Sequence, residues 1–222
     1  MIVKMISKFT HSNRLLVSIL CSSFLLVHCF STAPTSHPID TESSVLGYNL
    51  QISNHTAGTS HLYFMRFEKN SEKTGDFHPQ PSNHAEMGDF FYLNIEPGPY
   101  SLYAISLFND YLECGNDQKK VFLFQKSDLQ KIITNVKPKT FTYRENLKVK
   151  LSCELDISEK LNEVRISQLL NHSLLEFQRL TKNEIGSAMV ESFVPDENLR
   201  NIKKAIYRKS WNESKWASHL TW

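Results

Sequence analysis

The chain has 222 residues, 41% of them hydrophobic and 22% charged, with fourteen Phe and eight Tyr; this is ample for a core and excludes wholesale disorder. The formal net charge of +2 arises in the first 28 residues, where Lys4, Lys8 and Arg14 stand without any carboxylate. Beyond them, 22 of the 25 basic residues face all 23 acidic ones, so no basic excess is left to bind nucleic acid.

In chain order, Lys4, Lys8 and Arg14 precede an apolar run from Leu15 to Val27, ending at Leu26-Val27-His28-Cys29. Ser31-Thr32-Ala33-Pro34-Thr35-Ser36 then breaks the run. A basic start, a short apolar core and a polar break make up an export signal, not a folded segment. The boundary resembles a bacterial lipoprotein signal: Leu26 stands three residues before Cys29, and His28 takes a place that spirochaetal signals restrict less. The resemblance implies a signal over residues 1–28, lipidation at Cys29 and a lipid-anchored place in the bacterial cell envelope, with the outer membrane as the expected site. Cys21, with Ser18 three residues before it, is the rival acceptor; cleavage after Ala33 would put Pro34 just past the cut. A retained anchor is a further reading, although its apolar stretch is short against the roughly 20 residues a bilayer needs.

Residues 29–44, rich in Ser, Thr and Pro, read as a flexible tether. Strands are expected at Val45–Ile52 and His61–Phe67, then a polar loop from Glu68 to Met87. Gly88 to Ile95 and Tyr100 to Phe108 read as antiparallel neighbours joined by a type II turn at Pro97-Gly98. Both faces of the second segment are largely apolar, which suits a central strand. Val121–Phe124, Ile132–Val136 and Phe141–Tyr143 follow. Leu147, Val149, Leu151, Cys153 and Leu155 alternate with Lys148, Lys150, Ser152 and Glu154, the pattern of a half-buried strand. Cys114 and Cys153 either pair across the domain or remain separate thiols.

The period then changes. Thr181 and Glu184 suit a capping box ahead of a helix to Phe193, with Ile185, Met189 and Phe193 on one stripe. A second helix is expected from Asp196 to Lys209, burying Leu199, Ile202, Ala205 and Ile206 and leaving Arg200, Lys203 and Lys204 in water. The fold class is therefore mainly β: an antiparallel two-sheet sandwich over residues 45–157, with residues 158–222 as a helical extension packed on it. The expected core comprises Leu93, Ile95, Leu102, Ala104, Val149, Leu151, Leu199, Ile202 and Ile206.

Phe91-Tyr92-Leu93-Asn94-Ile95-Glu96-Pro97-Gly98-Pro99-Tyr100-Ser101-Leu102-Tyr103-Ala104 resembles a recurring element of transthyretin-like, or carboxypeptidase-regulatory-like, β-sandwiches. Val136 to Tyr143 is similar to their second hairpin, with Lys139 in place of the usual Gly. Together with the signal, the chain resembles uncharacterised spirochaetal, leptospiral-type lipoproteins. That resemblance implies a scaffold or adhesion module, supplies no catalytic residue and implies no cofactor.

His55, His61, His78 and His84 fit no compact metal spacing, and Asp110, Glu113 and Asp117 do not follow an EF-hand order. No phosphate-cradling loop or nucleophile elbow is present. The basic face near Lys203, Lys204, Arg208 and Lys209 reads as a solvated helix face or a membrane contact. The favoured expectation is a non-enzymatic structural or binding role, with a membrane through the lipid and an envelope protein or glycan as partners. The alternative is an envelope-polymer hydrolase with its site at residues 78–89, built on His78, His84 and Asp89.

Overall fold

The computed structural model describes residues 33–56, 58–66, 80–107, 112–115, 117–155 and 182–222. Twelve strands occur among them: β1 (Ser44–Ile52), β2 (Thr59–Arg66), β3 (Gln80–Pro81), β4 (His84–Glu86), β5 (Asp89–Ile95), β6 (Gly98–Leu107), β7 (Leu112–Cys114), β8 (Asp117–Lys119), β9 (Val121–Phe124), β10 (Thr134–Val136), β11 (Phe141–Ser152) and β12 (Ile185–Phe193). Helix α1 (Lys126–Lys131) links β9 to β10, and α2 (Glu197–Ser210) and α3 (Lys215–His219) follow β12. The fold is thus mainly β with a small C-terminal helical region.

The strands run β3-β2-β6-β9-β12-β11-β1-β5-β4 in one continuous sheet of ten, with β10 attached to β6; β7 and β8 form a separate hairpin. This corrects the expectation of two antiparallel sheets. β1 pairs with β11, and β12 with β9, in parallel. The sheet curls on itself, because strands that are not neighbours meet inside it. Phe64 of β2 lies 5.6 Å from Tyr48 of β1 and stacks at 5.9 Å on Tyr92 of β5. The Tyr48 hydroxyl shares a 2.9 Å hydrogen bond with Thr134 of β10.

β5 and β6 are not neighbours either, contrary to the hairpin expectation: β5 pairs with β1 and β4, and β6 with β2, β9 and β10. The Pro97-Gly98 connection carries the chain from one arm of the curl to the other. Gly98 has φ +151°, and a Cβ there would sit 3.1 Å from the Arg66 guanidinium. β6 is central, with its residues from Tyr100 to Leu107 all buried. Residues 136–143 are likewise no hairpin, since β10 pairs with β6 and β11 with β1 and β12. Lys139 nevertheless adopts the left-handed φ of +55° that a Gly would favour.

The helix expected up to Phe193 is a strand from Ile185 onward, while Thr181 lies outside the described residues. Gly186 explains the choice. Its missing side chain lets Ser152 O and the Phe122 ring approach to 2.5 and 2.8 Å of where a Cβ would stand. Pairing with β9 on one side and β11 on the other outweighs a three-residue helical stripe. Asp128 of α1 fastens the strand by accepting from Val190 N at 2.8 Å.

β11 serves both faces of the sheet. Tyr48 pairs with Arg144 but Leu50 with Leu147, so β11 carries one extra residue, and Asn146 takes φ +56° at that bulge. Before it, Phe141, Tyr143 and Glu145 point to the outer face. After it, Leu147, Val149 and Leu151 point into the curl. The expected strand is therefore longer, running without interruption from Phe141.

Leu93, Ile95, Leu102, Ala104, Val149 and Leu151 are buried, as expected. Ile202 and Ile206 are not: they are 56% and 38% exposed, and Leu199 is half-buried. α2 is rotated by about half a turn from the expected orientation, with Tyr207 buried and Arg200, Lys203 and Lys204 turned toward the sheet. The segment read as a tether is held on the domain from Ala33, which packs against the outer cluster. Trp216 Nε1 donates to Ser36 O at 2.8 Å, and Ile39 N to Asn94 Oδ1 at 2.9 Å. Cys114 and Cys153 form a disulfide, joining the β7–β8 hairpin to the chain just past β11.

Candidate functional site

Of the three residues expected near 78–89, His78 lies outside the described residues. His84 and Asp89 belong to different constellations. His84 Nε2 is 3.3 Å from Glu86 Oε2, and its ring meets Trp211 edge-on at 5.7 Å. Asp89 opens β5, is fully buried and has its donors supplied by the protein. Asn49 Nδ2 donates to Oδ1 at 2.6 Å, while Tyr143 Oη (2.6 Å), Lys203 Nζ (2.8 Å) and the Tyr207 hydroxyl converge on Oδ2. Burial, and then the hydrogen bond to Asp89, push both tyrosines far above the ordinary phenol range.

Two further buried carboxylates do similar work. Glu86 accepts from Ser210 Oγ and Trp211 Nε1, both at 2.6 Å. Glu145 accepts from Arg200 Nη2 at 2.7 Å, Arg200 Nε at 3.1 Å and Asp196 N at 2.8 Å. Burial raises the Glu145 pKa, but the Arg200 and Asp196 hydrogen bonds outweigh it and hold it below the ordinary carboxylate value. On α2 and just past it, Arg200, Lys203, Tyr207 and Trp211 form one stripe at helical spacing. Phe91 packs beneath them, edge to face with Tyr207 at 4.9 Å and Trp211 at 5.4 Å. This arrangement docks a helix. Its three carboxylates, Glu86, Asp89 and Glu145, are all buried.

A separate concavity lies where β11 loses its second neighbour. β12 pairs with Leu147–Ser152 only, so the first half of β11 has no strand on that side among the described residues, apart from a bridge between Thr140 and Thr221. The cleft there has a volume of about 420 Å³ and lies between β10, this edge, α2 and the C-terminal residues. Among the described residues its charged lining is Lys137, Arg144, Arg200 and Lys204, with no Asp or Glu. Arg144 is fixed by Thr134 Oγ1 at 2.9 Å and Ile133 O at 3.1 Å. Burial, then the nearby Arg200 charge, lowers the Lys204 pKa. Trp222, stacked on Phe141 at 4.7 Å, forms an aromatic wall.

Sequence reasoning missed this cleft because its residues come from four separate segments. It also missed Glu145, although one signal was available. Glu145 keeps the parity of Phe141 and Tyr143, so a carboxylate stands where the strand otherwise presents buried rings. Among the described residues, no group of three or more His, Cys, Asp or Glu side chains is placed to hold a metal ion. No described helix is long and apolar enough to cross a membrane.

No family profile matches the chain, and no curated protein matches it. Among solved structures, it is similar to a DUF3823 family protein from Parabacteroides merdae, at 13% identity and a TM-score of 0.24. That likeness covers 50% of this chain and spans 46% of the other.

Proposed function

We propose that this is a lipid-anchored protein of the bacterial cell envelope, held through Cys29 in the outer membrane, with a non-enzymatic structural or binding role. The observation that carries the reading is the basic and apolar start that ends at Leu26-Val27-His28-Cys29. The reading keeps the likeness to spirochaetal-type lipoproteins on that start; the transthyretin-like part of the likeness rests only on the residue pattern from Phe91 to Ala104, whose two strands pair with other partners. Against the hydrolase alternative stands Asp89, whose buried carboxylate is occupied by Asn49, Tyr143, Lys203 and Tyr207. A general acid or base has to reach a substrate proton.

Metabolic labelling with a palmitate analogue tests the anchor. The wild-type chain takes up label and fractionates with membranes, whereas Cys29→Ala does neither; equal labelling of both would remove the assignment. A measured turnover of envelope glycan, lost in a folded Asp89→Asn variant, would favour the hydrolase instead.

A further inference from the structure

The cleft beside the first half of β11 combines three features. First, four cationic side chains line it and, among the described residues, no Asp or Glu side chain does. Arg200 is neutralised from behind by Glu145, whereas Lys137, Arg144 and Lys204 make no ion pair with an Asp or Glu among the described residues; Arg144 lies over the Phe193 ring at 5.2 Å. Such a surface is under-neutralised and attracts an anion. Second, Asn135 and Thr142 add an amide and a hydroxyl that both donate and accept, matching the hydroxyls of a polyol, while the Thr140 hydroxyl is held by Lys137 O at 2.7 Å. Third, the half-buried Trp222 ring offers a flat apolar wall, fixed by its stack on Phe141. A volume of about 420 Å³ holds one or two rings and does not enclose a polymer.

We infer that this cleft binds a sugar ring carrying an anionic group, a carboxylate or a phosphate. The inference rests on the binding role proposed above and gives that role a ligand class. Lys204 and Lys137 meet the anionic group, Arg144 holds its place through Thr134 and Ile133, and the ring lies toward Trp222. The ligand is held without covalent change.

Titration calorimetry on the full chain in detergent tests this with glucuronic acid, glucose 6-phosphate, glucose and inorganic phosphate. At least one charged sugar is expected to bind saturably, at least tenfold more tightly than glucose or inorganic phosphate. Lys204→Gln and Lys137→Gln should each weaken that binding about tenfold. Their thermal midpoints should stay at the wild-type value, because neither lysine makes an ion pair with an Asp or Glu among the described residues. Binding of no charged sugar would overturn the inference, as would inorganic phosphate binding as tightly as the sugar phosphate. So would both lysine variants retaining wild-type affinity, or adenosine monophosphate binding more tightly than either charged sugar. None of these results bears on labelling at Cys29, so failure here is distinguishable from failure of the anchored reading.

Discussion

The two faces of the curled sheet are held by different physics. Inside the curl, Leu62, Leu102, Ile105, Phe122, Leu147 and Val149 meet as apolar side chains, and the stabilisation scales with area removed from water. On the outer face, Phe91, Phe141, Tyr207, Trp211 and Trp216 form an aromatic layer, and three buried carboxylates are threaded through it. The inner face tolerates many apolar solutions of equal volume. The outer face specifies one helix orientation, because any other would take from Asp89, Glu86 and Glu145 the donors that α2 and Trp211 supply. An amphipathic helix thus docks through its cationic and aromatic side and leaves its isoleucines in solvent.

The sharpest way to break this comparison is Asp89→Ala. Removing the carboxylate leaves Lys203 and two tyrosine hydroxyls without their shared acceptor, an expected loss of about 3–5 kcal/mol. Leu102→Ala, inside the curl, should cost about 2–5 kcal/mol, a similar total. The distribution should differ. In Asp89→Ala, hydrogen exchange should quicken first across residues 197–210, whereas Leu102→Ala should quicken it throughout the sheet. Identical exchange patterns would mean that the two faces form one cooperative unit.

Arg200→Gln comes next, at about 3 kcal/mol by chemical denaturation near neutral pH, because Glu145 is left buried against a neutral partner. The pH dependence sharpens the assignment. The folded Glu145 pKa lies below its unfolded value of about 4.3, so its contribution is full above that pH and is lost as pH falls through the depressed folded value. In Arg200→Gln, burial dominates and protonating Glu145 relieves the cost. The stability gap between the two proteins should therefore narrow below about pH 4. A constant gap would place the Arg200 contribution in packing rather than charge.

A smaller effect is expected from Gly47→Ala on β1. The new Cβ would stand 2.6 Å from Phe91 Cε1 and 3.0 Å from Tyr143 Cδ2, both within the outer aromatic layer. Overpacking of this kind costs about 1–3 kcal/mol, read as a lowered thermal midpoint. Wild-type stability would show that the layer can yield.

How far the fold could be read from the chain depends on which interactions decided each element. β9 and most of β6 were legible because both are apolar runs that the structure buries locally. The start of α2 near Asp196 was legible too, since Asp196 Oδ1 accepts from Leu199 N at 3.0 Å, a contact made within the helix itself. β12 was not, because Ile185, Met189 and Phe193 mimic a helical stripe and only the partners β9 and β11 reveal a strand. The β5–β6 crossing was hidden for a similar reason: a Pro-Gly pair marks a change of direction without stating what lies beside it. Of the candidate site, Asp89 was singled out, but its role depends on Lys203 and Tyr207, more than a hundred residues away. The cleft was hidden, although Lys204 stands on a basic helix face legible in the sequence, because its other cations come from the β10–β11 connection (Lys137), β11 (Arg144) and the start of α2 (Arg200).

The smallest expected effect separates the two readings of α2 most cleanly. Hydropathy spacing puts Ile202 on a buried face, where replacement by Lys would bury an unpaired charge at a cost of several kcal/mol. In the structure Ile202 is 56% exposed, on the opposite side of the helix from Tyr207. A substitution there removes little packing, and Lys is at least as good a helix former as Ile. Ile202→Lys should therefore shift stability by no more than about 0.5 kcal/mol in either direction, measured by urea unfolding at neutral pH. The paired variant Tyr207→Phe deletes one hydroxyl from the buried side and should cost about 1.5–3 kcal/mol, since Asp89 loses a donor to its charged oxygen. A large loss at position 202 beside a negligible one at 207 would reverse the orientation of the helix, and with it the assignment of all three buried carboxylates.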